Sequence, residues 1–489
     1  MKAYIFFSVH EELFRRIANG LVQYGVDKFS GFVWGRNQER VIAGHGVTFD
    51  QLLIFSRDLL PQCNDGKAAD LEWLARRERE LGISISRMLA SERHLLAGRS
   101  HGEIMRMAEV ALREIAAAYD RIRPDFVFSE DVSCFHSYVH FVLAQERKIP
   151  FWSIGSGRLP QRVSVYSSGM QRLERVQALY PQLLARGLTA AERGEAEAYV
   201  STFRECPARP SGMDVRSRFK ALELKDLKRM RIVAKRYFGD RADPTMSSPL
   251  RVIANRIQRV ARVRAAKRHR VFESPVDGEK YIVYPIHYQP EATTLVQAPM
   301  YVDQVQLIED IAKSLPIGHR LYVKEHMTNR GRRPLDFYQR LRAIAAVRLL
   351  SPDEDTWSLI RNAAAIAVIT GTMGWEGLLF AKPVITFGEV FFNILPQVHR
   401  AGAASKDAWY GILMTAVSES SSDGEALLAL ISALQQASHP GFIGNSTTFP
   451  QVLDPDNVMK LTNALAIEAG LVTTLGVRGS FARPTTSTS

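Results

Sequence analysis

Three short apolar runs in the second half of the chain each stop at a polar cluster, and stretches of helical period separate them. Tyr281-Ile282-Val283-Tyr284 leads into Pro285 to Glu291, Arg320-Leu321-Tyr322-Val323 leads into Lys324-Glu325-His326, and Ala363 to Ile369 leads into Thr370 to Glu376. Apolar residues recur at helical spacing from Val302 to Leu315 and from Leu335 to Ile344. Alternation of this kind predicts parallel strands joined by crossover helices. In such a sheet the ligand crevice lies outside the carboxyl ends of the strands, so the three polar clusters are expected to converge. Pro383 then ends a helix, and Val384 to Phe387 reads as a further buried strand.

The first 175 residues carry a second set of the same signals. A strand near Met1 to His10 runs into a helix, Gly31 to Gly35 reads as another strand, and helical patterns cover Ala68 to Leu96 and Ile104 to Ile122. A strand at Asp125 to Asp131, a helix at His136 to Arg147 and a strand at Pro150 to Arg158 follow. Their ends present Glu130 with Asp131, and Ser156 with Arg158. The fold class expected is α/β, with two Rossmann-like parallel-sheet domains facing a cleft. The expected division is 1–175, a basic helical linker at 176–278, a second sheet domain at 279–455, and a return helix with a disordered tail at 456–489.

Length and composition agree with this picture. A chain of 489 residues exceeds one core and fits two to three domains. Apolar residues at 46% and charged residues at 23% are ordinary for a globular protein. No uninterrupted apolar stretch reaches the length of a membrane span, and the apolar start is too short for a signal peptide. Cys63, Cys134 and Cys206 are scattered and lack metal spacing, which points to a reducing cytoplasm.

Charge changes the picture in one place. From Arg216 to Arg270 there are 18 Lys and Arg against 4 Asp and Glu, a net of 18 − 4 = +14, whereas the whole chain is +12. Within it Leu250, Ile253, Ile257 and Val260 share one helical face, opposite Arg251, Arg259 and Arg262. Such a helix is either a solvated linker or an attraction to an anionic membrane surface. Nucleic acid is not expected, because aromatic residues are sparse there and no nucleic-acid motif accompanies it.

Candidate chemistry collects at the strand ends. A helix starting near Gly374 would aim its open N–H groups at a phosphate held over Thr370, Gly371 and Thr372. Gly371 and Gly374 would let the backbone approach a ligand closely. Glu376 either complements the helix dipole or accepts from ribose hydroxyls. Glu130 or Asp131 would serve as the general base for an acceptor hydroxyl, or else as an acidic helix start. His136 and His140 lie one turn apart without the glutamate of a zinc motif, so no metal site is expected. The acidic runs Asp353-Glu354-Asp355 and Asp454-Pro455-Asp456 each precede a helix and read as caps.

The series Tyr288-Gln289-Pro290-Glu291, Val323-Lys324-Glu325-His326, Ile369-Thr370-Gly371-Thr372 with Glu376, and Lys382-Pro383-Val384-Ile385 resembles the capsule polysaccharide biosynthesis family. That family includes Kdo transferases and is similar in its C-terminal half to GT-B nucleotide-sugar enzymes. Many members carry His-Pro where this chain has His326-Met327. The resemblance implies a GT-B glycosyltransferase acting at the cytoplasmic membrane face, without a bound cofactor. Gln289, Glu291, Lys324, Thr370, Gly371, Thr372, Gly374 and Glu376 would hold a nucleotide sugar. His326 would act on the leaving phosphate, Glu130 or Asp131 on the acceptor proton, and Ser156 and Arg158 would lie on the acceptor side. CMP-Kdo is favoured over a UDP sugar, since one phosphate matches one helix N-terminus. A glycan or glycolipid would be the acceptor, with other capsule assembly proteins as further partners. The alternatives are a sugar-nucleotide epimerase and a non-catalytic assembly or export protein.

Overall fold

The computed structural model describes residues 1–8, 10–44, 46–207, 224–418 and 424–472. The start of the basic segment, 216–223, and the tail from Val477 lie outside the described residues.

Strands β1 (Lys2–Phe6), β2 (Lys28–Val33), β3 (Phe49–Ile54), β4 (Phe126–Ser129), β5 (Phe151–Ser156) and β6 (Arg162–Tyr166) belong to a first sheet. Strands β7 (Lys280–Pro285), β8 (His319–Lys324), β9 (Val347–Leu350), β10 (Ala365–Val368), β11 (Val384–Thr386) and β12 (Val398–Arg400) form a second, and β13 (His439–Pro440) returns to the first. The orders are β13-β6-β5-β4-β1-β2-β3 and β12-β11-β10-β7-β8-β9. The second sheet is parallel throughout, whereas the first is parallel from β3 to β5 and antiparallel at β6 and β13. In their own chain order the parallel arrays read 3-2-1-4-5 in the first sheet and 3-2-1-4-5-6 in the second, the doubly wound Rossmann arrangement.

Two-sided burial explains why these runs are strands. In β1, Tyr4 and Phe6 enter one core while Ala3 and Ile5 enter the other. In β10, Ala365 and Ala367 face one layer and Ile366 and Val368 the opposite one. A strand covered by helices on both faces must be apolar at every position, so period-two alternation gives way to continuous runs. The expected long helix from Ala68 to Leu96 is instead broken, because Gly82 ends Leu71–Leu81 in a left-handed conformation at φ 63°.

The two sheet bodies exchange elements. Helices Glu174–Arg186 and Ala190–Glu205 pack on Gly424–Ala437 beside the second sheet, and Arg204 Nε donates to the Leu379 carbonyl at 2.6 Å. In return β13 extends β6, and helix Pro455–Glu468 packs on Glu11–Leu21.

The basic segment is a helical strap, Leu224–Gly239 and Pro249–Arg268, whose elbow reaches the first sheet. There the Asp240 carboxylate accepts from Arg36 N and Ser56 Oγ, both at 2.8 Å. Arg259 Nε donates to the Arg330 carbonyl at 2.6 Å, and Arg262 donates to that of Arg332, so the strap also clamps the loop after β8. Arg259 and Arg262 therefore face that loop, while Leu250 and Ile257 point out. The backbone carbonyls of that loop accept from guanidinium groups, which are donors where aliphatic side chains are not.

Candidate functional site

In each parallel array the connections diverge between strands 1 and 4, and a crevice opens at their carboxyl ends. In the first sheet these strands are β1 and β4. The residue after β4, Glu130, brings its carboxylate 3.2 Å from Nε2 of His10, with side chains 16% and 12% exposed. Within the described residues, His10 Nδ1 and Glu130 Oε1 are buried without a hydrogen-bond partner. Beside them burial pushes the Glu11 carboxyl up, and Arg236 stands 3.8 Å from it. His10 escaped the sequence reasoning, because only the pairing of β1 with β4 brings it to Glu130.

Asp131 diverges from Glu130, as adjacent residues in extended chain must. Tyr166 Oη and the Gln171 amide both donate to its carboxylate, and Arg158 donates to the Gln171 carbonyl. Burial pushes the Asp131 carboxyl up to about 6 against those hydrogen bonds and the Arg158 charge. Arg158 sits in the left-handed region at φ 67°, with its guanidinium 5.5 Å from the Phe391 ring of the other body. Ser156 Oγ accepts from Arg158 N at 3.3 Å. Asp131, Ser156 and Arg158 thus form one polar cluster between the bodies, separate from the His10–Glu130 pair.

In the second sheet the crevice lies between β7 and β10. Thr370 N donates to Nε2 of His287 at 3.2 Å, so the neutral ring carries its proton on Nδ1. Burial pushes His287 down to about 3. Thr370 Oγ1 donates to the Thr293 carbonyl at 3.0 Å, which ties in the turn that Glu291 begins. Helix Thr372–Leu379 starts at Gly371 without a side-chain cap; Gly374 N turns back to the Gly371 carbonyl at 3.1 Å, which leaves the Thr372 and Met373 N–H groups at the carboxyl edge. The start lies two residues earlier than expected. Gly374 is accordingly inside the helix, where a Cβ would meet the Phe392 ring and Val368 at 2.9 Å, so its missing side chain serves packing.

The loop after β8 joins the same crevice. Arg333 Nη2 donates to the His287 carbonyl at 3.0 Å, and the Tyr288 and His326 rings stand 6.3 Å apart. Buried Glu325 organises the loop by accepting from His326 N, Asn329 Nδ2 and Tyr338 Oη at 2.7, 3.2 and 2.9 Å. His326 is exposed, and its Nδ1 accepts from Thr328 N at 3.2 Å, which holds the turn beginning at Met327.

All three strand ends therefore meet, though four expected donor residues are directed elsewhere. Lys324 is buried and donates to the Pro352 carbonyl at 3.1 Å. Gln289 donates to the Val302 carbonyl at 2.8 Å. Glu291 is exposed and accepts from Thr293 Oγ1 at 2.8 Å. Glu376 is buried mid-helix, where its charge acts on Tyr199.

Other candidates resolve into structure. His136 and His140 lie among Phe6, Phe32, Trp34 and Phe55, fully buried, and burial pushes His136 down to about 3. Asp355 caps its helix by accepting from Trp357 N and Ser358 N, while Asp353 pairs with Arg330. A cavity of about 180 Å³ at the carboxyl end of β11 is bounded by Arg87 of the first body and by Tyr301, Phe387 and Arg400 of the second. A larger one of about 840 Å³ opens at the amino ends of β7 and β8, on the edge opposite the crevice.

A family model described as "Capsule polysaccharide biosynthesis protein" matches residues 134–396, more than half of the chain. No curated protein matches it. Among solved structures, the chain is similar to Thermosulfurimonas dismutans KpsC, beta Kdo 2,7 transferase, at 10% identity and TM-score 0.38 over 73% of this chain and 89% of that one. It is similar to the beta Kdo 2,4 transferase of the same KpsC at 14% identity and TM-score 0.38, over 70% and 87%. Methanocaldococcus jannaschii UDP-GlcNAc 2-epimerase, in complex with UDP-GlcNAc and UDP, is similar at 12% identity and TM-score 0.30, over 89% and 100%.

Proposed function

The chain belongs to the capsule polysaccharide biosynthesis family, and we propose that it is a glycosyltransferase moving a sugar from a nucleotide donor to a capsule glycan or glycolipid. The observation that carries this reading is the pair of crevices, one holding the partly buried His10 and Glu130 and the other an uncapped helix start beside His287 and Thr370. The first supplies an acid–base pair, and the second a nest of N–H donors for phosphate.

In this mechanism the donor phosphate rests on the N–H groups that open the Thr372–Leu379 helix, with Thr370, Gly371 and Thr372 lining it. His326 and the arginines of its loop take up negative charge as the glycosidic bond breaks. The acceptor hydroxyl gives its proton to the His10–Glu130 pair, leaving Asp131, Ser156 and Arg158 to position the acceptor. One helix start matches one phosphate, which favours a CMP-linked sugar such as CMP-Kdo.

Isothermal titration with CMP, UMP and UDP tests the donor half. Binding of CMP that weakens in His326→Ala and in Thr372→Val supports the reading. Failure of all three nucleotides to bind would remove the donor site, and binding of UDP alone would replace the CMP assignment.

A further inference from the structure

The Pro249–Arg268 helix wears its aliphatic side outward. Leu250, Ile253 and Ile257 are 79%, 45% and 65% exposed, and their spacing of three and then four places them on one face. Ala254 and Ala261 share that face and are also exposed. Helices of globular proteins bury such a stripe, and a contiguous exposed one marks an interaction surface. The orientation is fixed from behind, because Arg259 holds the Arg330 and Thr328 carbonyls and Arg262 holds that of Arg332. On the preceding helix, Leu224–Gly239, which contacts it, Ile232 and Phe238 are 59% and 61% exposed.

The stripe is flanked by cations and ends in them toward the helix C-terminus. Arg251, Arg264, Lys267 and Arg268 are exposed, as are Arg231 and Lys235 on the neighbouring helix. The acidic residues between Met230 and Arg270 are Asp240 and Asp243, and they are only 9% and 2% exposed. The charge this strap shows to the outside is therefore positive along its described length.

We infer that the Pro249–Arg268 helix is an interfacial anchor, with its Leu250–Ile257 stripe among acyl chains and its basic rim on anionic lipid headgroups. A second copy of the chain would bring two cationic rims together, which repel. A nucleic acid would leave the aliphatic stripe unused. An anionic bilayer surface satisfies both parts, as amphipathic helices lying in the membrane plane do. Because Arg259 and Arg262 clamp the loop after β8, the anchor also holds the donor crevice near the membrane. The inference goes beyond glycosyl transfer and stands whichever sugar is moved.

The test is flotation of the full chain with vesicles of phosphatidylcholine alone or mixed with phosphatidylglycerol. The wild type is expected to float with the anionic vesicles and to be released by salt. Binding should fall on the order of tenfold or more in Leu250→Ser/Ile253→Ser/Ile257→Ser and in Arg251→Gln/Arg264→Gln/Lys267→Gln/Arg268→Gln. Ile257→Trp adds a direct reading, a blue shift of its emission on anionic vesicles. Equal flotation of wild type and both variants, or a tryptophan that stays in water, overturns the anchor. So does a serine variant that keeps its lipid binding but changes the molecular mass by light scattering, which assigns the face to a second copy. Transfer to a soluble acceptor is read without vesicles, so failure here is distinct from failure of the enzymatic reading.

Discussion

An alanine at Gly371 tests whether the donor crevice is built on the contact between His287 and the turn after β10. Gly371 has φ −73° and ψ 155°, a conformation open to any residue, so the substitution carries no backbone strain. Its Cβ would nevertheless stand 2.9 Å from His287 Nε2 and 3.5 Å from Cε1. The ring is 7% exposed and held through its own backbone by Gln304 and Arg333, so it has little room to yield. Overpacking of this kind costs ~1–3 kcal/mol. Losing the Thr370 N–H to Nε2 hydrogen bond and leaving that donor buried costs ~1–3 kcal/mol more. Urea unfolding should thus report a loss on the order of 2–6 kcal/mol, and titration should show weaker nucleotide binding. The decisive form is a double-mutant cycle. His287→Ala removes the ring that carries both parts of this cost, so Gly371→Ala added to it should lose most of its effect. An equal cost in both backgrounds would refute the contact as the organiser of the crevice.

Glu130→Gln and His10→Gln should each reduce turnover by about 10²–10⁴-fold while leaving unfolding unchanged, and unaltered turnover in both would remove the pair from the reaction. Burial pushes His136 and His287 down to about 3, so each stays neutral in the fold while the unfolded chain takes up a proton below pH ~6.5. Stability should therefore fall as pH drops from 6.5 toward 3, by up to ~1.4 kcal/mol per pH unit for each ring. His136→Phe, which suits the surrounding aromatic rings, should flatten that slope, and an unchanged slope in urea titrations would contradict it. Asp355→Ala should cost ~1 kcal/mol as a lost cap and leave turnover intact, whereas a metal-dependent loss of activity would reverse that assignment. Arg259→Met keeps the stem but not the donor, and should expose the Thr328–Arg332 loop to limited proteolysis; an equally resistant loop would show that the clamp is dispensable.

The second crevice was largely legible in the sequence, because each of its strands is a short apolar run ending in a polar cluster. Two-sided burial writes itself into the chain as continuous hydrophobicity, and Val283 or Ile366 needs no partner to be recognised. What stayed hidden depends on contacts between distant segments. His10 is one polar residue after a strand until β1 and β4 lie side by side. β3, with the polar Asp50 and Gln51 in its run, and β6 carry too little apolar signal to stand out. The Pro249–Arg268 helix shows its amphipathic face in the sequence, but pattern alone leaves open which side packs on the fold. The carbonyls of Thr328, Arg330 and Arg332 decide it, and no periodicity announces them. Glu376 likewise looked like a ribose ligand near a helix start, and the earlier start at Thr372 carries it into the core.

The most direct test of glycosyl transfer is nucleotide release from a labelled sugar nucleotide, measured with and without a capsule glycolipid acceptor. Release that depends on acceptor, with label appearing in the acceptor for the wild type and lost in Glu130→Gln, is the predicted result. Conversion of the free sugar nucleotide to an epimer, with no label in any acceptor, would contradict it.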